Sequence, residues 1–458
     1  MTGSVRTYAR RARELGPLGT FRRAIEKLRG DDQPAPPSGS LVDHQQPSGA
    51  DDFIDVRELL QSLSVEELAV AADNYFKENL QGSDYFFAKP FTNVDETPDR
   101  LVCFAEMIGG LRPLAGMRIL DFGAGTGWST RYLTQLGYEV ICSDVSPTAL
   151  EIAKQLVARL PVAGPRPEPT FQVFDGHRID LPDASVDRVH CFDALHHVPN
   201  PAEVLAELGR VLKPGGIAGF CEPGPNHSKT AQSQFEMRNY TIIENDVIMA
   251  DMWAWAQLAG FTSLELAVFN SQPFRLSLSD FDDFLRGGSS TQRYVDHVRE
   301  VVRERRIFFL ANGEPLIRDS RDRNGLAGTL EVQLERAQVA ESEPIKGRCL
   351  THNTGRNLWL PSDAPHGPVQ VGVHLYDRAG LLLDRDYARI PLDRRDGIRP
   401  GEMAEIAFAL PGPAPGEYRL DFDLVSEMVC WFEINGCHPA SVAISISEDS
   451  RIDPERGR

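Results

Sequence analysis

Short apolar runs alternate with amphipathic segments through the first two thirds of the chain. The runs are only a few residues long, which is typical of buried parallel strands. The segments between them place apolar residues three and four positions apart, as on one face of a helix. The order strand–helix–strand–helix–strand–strand–helix–strand predicts an α/β fold with a doubly wound sheet and a ligand site at the carboxyl ends of its strands. The five strands are RILDF, YEVICSD, TFQVFDG, VDRVHCF and GIAGFCEP.

The same pattern continues on both sides of this core. Residues 51–115 predict a helical cap. Residues 271–305 predict an insertion with a helix over Gln292–Arg305, a kind of segment that often carries substrate selection. Between the fifth strand and the end of this region we predict a helix in ENDVIMADMWAWAQLAGF, a sixth strand in FTSLELAVF and an antiparallel seventh strand in RRIFFLA.

The pattern changes from about residue 330. Short segments of alternating apolar and polar residues, separated by turns rich in Pro and Gly, predict a separate β-sandwich domain. Tyr418 occupies the position of a tyrosine corner. The expected parts of the chain are a basic helical arm and linker (1–50), the cap (51–115), the α/β domain (116–312), a linker (313–329), the sandwich (330–447) and a tail (448–458).

The composition is that of an ordinary globular protein. The 458 residues are 41% hydrophobic and 25% charged. No apolar run predicts a membrane span, and the N-terminus has no signal-peptide pattern. The seven cysteines lack metal-ligand spacing. We therefore expect reduced thiols, no metal site and a cytoplasmic location.

The charge is distributed unevenly. The formal net charge is −18, but residues 1–30 carry eight Arg or Lys against two Glu. The acidic body argues against a nucleic-acid partner, which requires a basic track. The basic arm has two interpretations: it makes peripheral contact with the inner membrane face or a partner enzyme, or it packs on its own domain.

A glycine-rich turn joins the first predicted strand to the next helix. Three alternating glycines, from Gly123 to Gly127, follow Asp121, and Asp144 ends the second strand. Such glycines let backbone N–H groups approach a ligand. Asp144 lies 21 residues after Gly123, and a carboxylate at this spacing can accept both hydroxyls of a ribose. Trp128 stands where dinucleotide-binding folds have their third glycine, which disfavours a nicotinamide cofactor.

This block resembles motif I of the class I S-adenosylmethionine (SAM) methyltransferases of the UbiE-like, methyltransferase-11 type. The strings FDALHHVPNP and LKPGG also resemble that family. The resemblance covers about residues 75–270 and the returning strand near residue 306. It implies a Rossmann-like sheet of seven strands, the last antiparallel, and SAM as the cofactor.

The resemblance also implies where SAM binds. Asp121 and the glycine loop would hold its amino-acid end, Asp144 its ribose, and Asp175 with Gly176 its adenine. Asp193 would border the methionine portion. The expected cofactor-binding residues are Asp121, Gly123, Ala124, Gly125, Thr126, Gly127, Asp144, Val145, Asp175, Gly176 and Asp193.

Methyl transfer is an in-line displacement, so the protein must align the acceptor and, for a hydroxyl, remove its proton. We expect His196 to be the base, because imidazole titrates near neutrality. A structural role for His196 is the alternative. Glu222 is the second candidate, and His227 remains open. The expected acceptor-side residues are Tyr75, Tyr85, Lys89, His197 and Tyr240.

The sandwich resembles the immunoglobulin-like C-terminal domains of proteins encoded with bacterial surface-polysaccharide machinery. The segments NTGRNLWLP, VHLYDRAG, PGE and DLVSEMVCWF carry this resemblance. It implies glycan recognition. The candidates for stacking on sugars are Trp359, His374, Tyr376 and Trp431, with core packing as the alternative for each.

These observations favour a SAM-dependent methyltransferase that methylates a hydroxyl of a sugar or cell-surface glycan precursor. A glycosyltransferase or other surface-polysaccharide machinery would be its partner. One alternative is a methyltransferase for a small metabolite, with the sandwich used for assembly. Another is a non-enzymatic SAM-binding scaffold, which the intact glycine motif disfavours.

Overall fold

The computed structural model describes residues 53–79, 85–313 and 319–448. The chain divides into two compact units, the first ending at Pro315 and the second beginning at Leu316. The predicted basic arm, its linker and nearly all of the predicted tail lie outside the described residues. Within the described part, no helix is both long and apolar enough to cross a membrane.

The first unit is built on a seven-stranded sheet. Its strands are β1 (Arg118–Phe122), β2 (Glu139–Asp144), β3 (Thr170–Val173), β4 (Val186–Phe192), β5 (Leu212–Pro223), β6 (Ser263–Leu266) and β7 (Arg305–Asn312). Their spatial order is β3-β2-β1-β4-β5-β7-β6. β7 runs antiparallel to both of its neighbours, β5 and β6. The predicted doubly wound sheet with an antiparallel last strand is confirmed.

Burial explains why these segments form strands. Every residue of β4 is buried, as expected for a central strand covered by helices on both faces. The helix after it buries its apolar face, including Val204 and Leu208, against the sheet. The helices that follow the strands of the sheet are α5 (Trp128–Gln135), α6 (Pro147–Arg159), α7 (Pro201–Val211), α8 (Ala231–Tyr240) and α9 (Met249–Leu258).

The described residues of the predicted helical cap form four helices, namely α1 (Val56–Ser62), α2 (Val65–Asn79), α3 (Tyr85–Ala88) and α4 (Glu96–Leu111). Asp73 on α2 anchors the cap, because its carboxylate accepts hydrogen bonds from Ser146 Oγ at 2.7 Å and the Thr148 N–H at 2.9 Å. Burial raises the pKa of Asp73, but Lys77 and these donors outweigh that effect and lower it to about 2. The cap is therefore tied to the first turn of α6.

Several predicted boundaries shift. The sixth strand is only four residues long, and the helix predicted from residue 244 starts at Met249. The insertion contains two helices, α10 (Leu278–Leu285) and α11 (Ser289–Glu304), where one was predicted. Ser277 caps the additional helix by accepting the Asp280 N–H. Helix α10 buries no residue, so its apolar pattern gave a weak signal.

The described residues of the second unit form two sheets around one apolar core, and all but one of the strand pairs in these sheets are antiparallel. Residues from both sheets, such as Cys349, Val371 and Phe422, belong to that core. Trp359 is fully buried there against Phe432. The strands are β8 (Gly328–Leu334), β9 (Gln338–Ala340), β10 (Ile345–Asn353), β11 (Val369–Asp377), β12 (Leu382–Pro391), β13 (Met403–Leu410), β14 (Gly416–Ser426), β15 (Cys430–Trp431) and β16 (Ala440–Ser447). The strand orders of the two sheets are β13-β10-β8 and β12-β11-β14-β16-β9.

Candidate active site

The loop between β1 and α5 has a backbone that only glycine adopts easily. Gly123, Gly125 and Gly127 all have positive φ angles, between 54° and 74°. A Cβ atom at Gly123 would lie 2.3 Å from the Ala194 Cβ, and one at Gly127 would lie 2.7 Å from the Ala153 Cβ. Gly125 has only the Phe76 ring nearby, at 3.9 Å. The loop therefore packs tightly at its two ends and leaves room at its centre.

Asp144, at the end of β2, holds this loop. Its Oδ2 accepts the Gly125 N–H at 2.7 Å, and its Oδ1 accepts the Ser146 N–H at 2.9 Å. Burial raises the pKa of Asp144, although these two N–H donors oppose the shift. Each carboxylate oxygen can still accept a second hydrogen bond. Asp144 thus presents two acceptors beside the open part of the loop.

Asp121 differs from the expectation of direct contact with the cofactor. Its Oδ2 accepts hydrogen bonds from Ser129 Oγ at 2.9 Å and Thr130 Oγ1 at 2.5 Å, and its Oδ1 is 2.7 Å from His190 Nδ1. The side chain is 1% exposed. The carboxylate therefore ties the first turn of α5 to the sheet, and we assign it the positioning of the loop.

The other predicted cofactor residues line the same edge of the sheet. The Ala124 N–H donates to the Ser143 carbonyl, and Thr126 Oγ1 donates to the Phe86 carbonyl of α3. Val145 packs against the main core. These contacts set the loop between the second strand and the cap.

The corner expected to hold adenine lies after β3. Asp175 Oδ1 accepts the N–H groups of His177 and Arg178 at 2.8 and 2.6 Å. Gly176 has a φ of 97°, and a Cβ there would lie 2.6 Å from Val65 of α2. The beginning of α2 therefore covers this corner.

Asp193, at the end of β4, completes the edge. It has a φ of 50°, and its carboxylate is 2.6 Å from the Arg305 guanidinium. Burial by itself raises the pKa of Asp193. The positive charge of Arg305, followed by that of His196, outweighs this effect and lowers the pKa.

These residues fit SAM. The tight glycine loop supplies backbone that a ligand can approach closely, and Asp144 has two oxygens that would suit ribose hydroxyls. The charge of Asp193 is already paired with Arg305.

Aromatic side chains of the cap stand near the loop. The rings of Tyr75 and Tyr240 are 5.1 Å apart and perpendicular, and Tyr75 is 6.4 Å from Phe86. The structure thus brings together two of the predicted acceptor-side residues. Burial lowers the pKa of Lys89, an effect that Arg100 reinforces and Asp193 opposes. The backbone of Tyr85 begins α3, and its side chain lies outside the described part.

Glu222 and His196 meet at the ends of β5 and β4. Glu222 Oε1 accepts the N–H groups of Ala194 and Leu195, at 3.1 and 2.9 Å. Its Oε2 accepts the His196 N–H at 3.2 Å and lies 2.6 Å from His196 Nδ1. With the Cys191 thiol, which donates to Oε1 at 3.6 Å, five donors surround a carboxylate that is fully buried. Glu222 therefore orients His196, and it is not itself placed to take a proton from an acceptor.

His196 faces a group that sequence reasoning missed. Its Nε2 is 4.0 Å from Glu244 Oε2, which is beyond hydrogen-bond distance. Burial and the neighbouring His197 lower the pKa of His196. Glu244 lies in the ENDV segment that was predicted as helix, so helical periodicity gave no reason to place it at the site.

His197 and His227 complete this cluster. His197 Nδ1 donates to the Ile243 carbonyl at 2.7 Å and is 3.5 Å from Glu244 Oε1. His227 Nε2 is 2.7 Å from Glu244 Oε2. Although burial raises the pKa of Glu244, His197, His227 and His196 lower it to about 2. Three imidazoles thus surround one buried carboxylate.

A cavity of about 450 Å³ adjoins His196. It lies among α1, the start of α7 and α9, and its wall is largely apolar. The apolar side chains that line the cavity include Leu60, Leu195, Val247, Met252 and Trp255.

Residues 120–220 match the Methyltransf_11 family model, which describes a methyltransferase domain. This range contains the glycine loop, Asp144 and His196. The chain contains a SAM-dependent methyltransferase domain. S-adenosylmethionine is the cofactor of that domain.

Individual proteins match over a similar region. An uncharacterized methyltransferase of Mycobacterium bovis is 36% identical over 115 residues, 25% of this chain and 43% of the relative. The demethylmenaquinone methyltransferase of Renibacterium salmoninarum is 30% identical over 142 residues, 30% of this chain and 56% of the relative. The ubiquinone biosynthesis O-methyltransferase of Alkalilimnicola ehrlichii is 34% identical over 126 residues, 28% of this chain and 48% of the relative. The chain spans about half the length of these curated relatives.

Solved structures match more broadly at lower identity. The phosphoethanolamine N-methyltransferase 2 of Haemonchus contortus, in complex with SAM, is 18% identical, with a TM-score of 0.39 over 55% of this chain and 60% of that one.

Proposed function

We propose that the protein transfers a methyl group from SAM to a hydroxyl of an acceptor bound beside His196. The observation that carries this proposal is the Glu222–His196 pair. Because His196 Nδ1 donates to Glu222, the lone pair of the neutral ring resides on Nε2. This nitrogen lies past the end of β4, at the same sheet edge as the glycine loop.

SAM supplies a methyl group on a sulfonium, whose thioether leaves without acid assistance. The residues of the chain bind SAM, orient the acceptor and shield the acceptor from water. Asp144 accepts hydrogen bonds from the ribose, and the loop from Gly123 to Gly127 follows the amino-acid end. Tyr75 and Tyr240 limit the access of water to the acceptor. The imidazole cluster provides the basic group that assists loss of the hydroxyl proton.

We further propose that the acceptor is a sugar or a glycan precursor, methylated together with surface-polysaccharide machinery. The support comes from two half-buried aromatic residues of the second unit, Tyr376 and Trp431. Tyr376 lies 4.2 Å from the Arg419 guanidinium, and Trp431 lies 4.7 Å from that of Arg389. Trp359 is a core residue and no longer a candidate for stacking, and His374 is only 4% exposed.

The second candidate acceptor is a small apolar or aromatic metabolite. The apolar cavity beside His196 favours it, because a saturated sugar ring offers few apolar faces to such walls. Two of the relatives carry names of quinone-pathway methyltransferases.

The experiment incubates the full chain with SAM and one acceptor class at a time, namely nucleotide sugars, oligosaccharides and dihydroxylated aromatics. Release of S-adenosylhomocysteine and the mass of the acceptor, increased by one methyl group, are measured. His196→Gln is the test variant. Turnover with sugars supports the glycan proposal, turnover only with aromatics supports the second candidate, and failure to bind SAM refutes the function itself.

A further inference from the structure

We infer that His196, His197 and Glu244 bind a divalent transition-metal ion at the acceptor side of the site. One ligand atom from each of these residues lies within 4.8 Å of the others. The Nε2 of His196 and the Oε2 of Glu244 are 4.0 Å apart. Because ligand atoms lie about 2.1 Å from a bound ion, two of them can be up to about 4.2 Å apart. The His196–Glu244 pair is within this limit, and binding of one ion by all three residues requires the wider pairs of the cluster to move closer together.

Two atoms with lone pairs, His196 Nε2 and Glu244 Oε2, face each other in this cluster. His196 donates through Nδ1, so its Nε2 carries a lone pair directed at a carboxylate. Both side chains are nearly fully buried, with 6% and 4% of their surfaces exposed. No hydrogen atom lies between these two acceptors, and their separation of 4.0 Å leaves space for a cation that both can bind.

Each proposed ligand residue is also oriented by hydrogen bonds to its neighbours. Glu222 bonds the far nitrogen of His196, and the Ile243 carbonyl accepts from His197. Glu244 accepts from His227 Nε2 at 2.7 Å and from Ser233 Oγ at 3.2 Å. Metal-binding histidines typically donate their second N–H to a carboxylate or carbonyl, which orients the ring. The cluster has this outer arrangement on every ligand.

The ligand types select the metal. Two imidazoles and one carboxylate suit Zn²⁺, Fe²⁺, Co²⁺ or Mn²⁺, whereas Mg²⁺ and Ca²⁺ prefer oxygen ligands. Three protein ligands leave a position open. His197 is 38% exposed on its side chain, so this side of the cluster is accessible.

The open position gives the metal a role in the proposed function, and this step rests on that proposal. An acceptor hydroxyl bound to the ion loses its proton to solvent water more readily. The resulting oxygen attacks the methyl carbon, an O–C bond forms, the C–S bond breaks, and its electron pair remains on sulfur. In the metal-bound form the ion replaces the imidazole as the group that promotes loss of the proton. His196 is then a metal ligand, and Glu222 keeps its ligating nitrogen in place.

The test uses the full chain, dialysed against a chelator and then equilibrated with Zn²⁺ or Co²⁺. Bound metal is measured by mass spectrometry and titration calorimetry, and Co²⁺ by its visible absorption. The test variants are His197→Gln and Glu244→Gln. The matched control is His177→Gln, because His177 also lies between two glutamates, Glu66 and Glu203, but at an exposed position.

We expect one metal ion per chain, an affinity at least tenfold weaker in both test variants, and no change in the control. Circular dichroism checks the fold, and the exposed His197 keeps the test informative if Glu244→Gln does not fold. Absence of stoichiometric metal, or equal metal binding by His177→Gln and His197→Gln variants, overturns the metal site. SAM affinity is measured on the same samples: a chain that binds SAM but no metal refutes only this inference, and a chain that does not bind SAM refutes the proposed function.

Discussion

Replacing Asp144 by alanine tests the cofactor site most directly. Its two oxygens each accept one backbone N–H, from Gly125 and Ser146, and each can accept one further hydrogen bond. Alanine removes the proposed acceptors for the ribose and the hydrogen bond that holds the centre of the glycine loop. A hydrogen bond to a charged group contributes about 1.5–3 kcal/mol. We therefore expect S-adenosylhomocysteine to bind about 10- to 150-fold more weakly.

Asp144→Asn sharpens the test. The amide keeps the size of the side chain, but its NH₂ group must face the N–H of Gly125 or Ser146, where it has no acceptor. We therefore expect the asparagine variant to lose about as much affinity as the alanine variant. A side chain that only fills space would instead tolerate asparagine.

The assay is titration calorimetry with S-adenosylhomocysteine. Glu139→Gln is the matched control, since it removes a carboxylate at the exposed beginning of the same strand. Thermal unfolding establishes that each variant is folded at the assay temperature. A dissociation constant within twofold of the wild-type value for Asp144→Ala would refute the assignment of the ribose site.

Three further predictions follow from the site and the two cores. His196→Gln should lower turnover by about 10²- to 10⁴-fold with SAM affinity within about twofold, measured by product release and calorimetry; an unchanged rate contradicts its role. The pKa of Asp73 is about 2 in the folded protein, against 3.8 in the unfolded chain. Its carboxylate therefore stabilises the folded state fully above pH 3.8, and this contribution is lost as the pH falls through 2. Asp73→Asn should therefore cost about 2 kcal/mol at pH 7 in urea unfolding, with a difference that disappears towards pH 2. Burial raises the pKa of Asp423 to about 6, so the unfolding free energy should fall by about 3 kcal/mol as pH rises from 3.8 to above 6. Asp423→Asn should remove that slope in chemical unfolding followed across this range, and an unaltered slope contradicts the assignment.

Local spacing in the sequence determined the backbone of the methyltransferase domain. Apolar runs such as RILDF predicted buried strands because a strand covered on both faces needs no polar position. Alternating glycines predicted the turn because positive φ angles strain any residue with a Cβ. The position of Asp144 followed from the same logic, since a parallel strand ends at the ligand edge of the sheet.

The tertiary structure decided which polar atoms meet. Glu222 and His196 are 26 residues apart in the chain, and only the adjacency of β4 and β5 places a carboxylate behind the ring. Asp121 occupied the expected motif position, yet hydrogen bonds from Ser129, Thr130 and His190 direct it into the protein. Glu244 lies in a segment that was predicted as helix but forms neither helix nor strand, so its place among three histidines depends entirely on the fold. Sequence patterns encode backbone conformation and burial within a few residues, whereas the pairing of charges depends on distances that folding alone establishes.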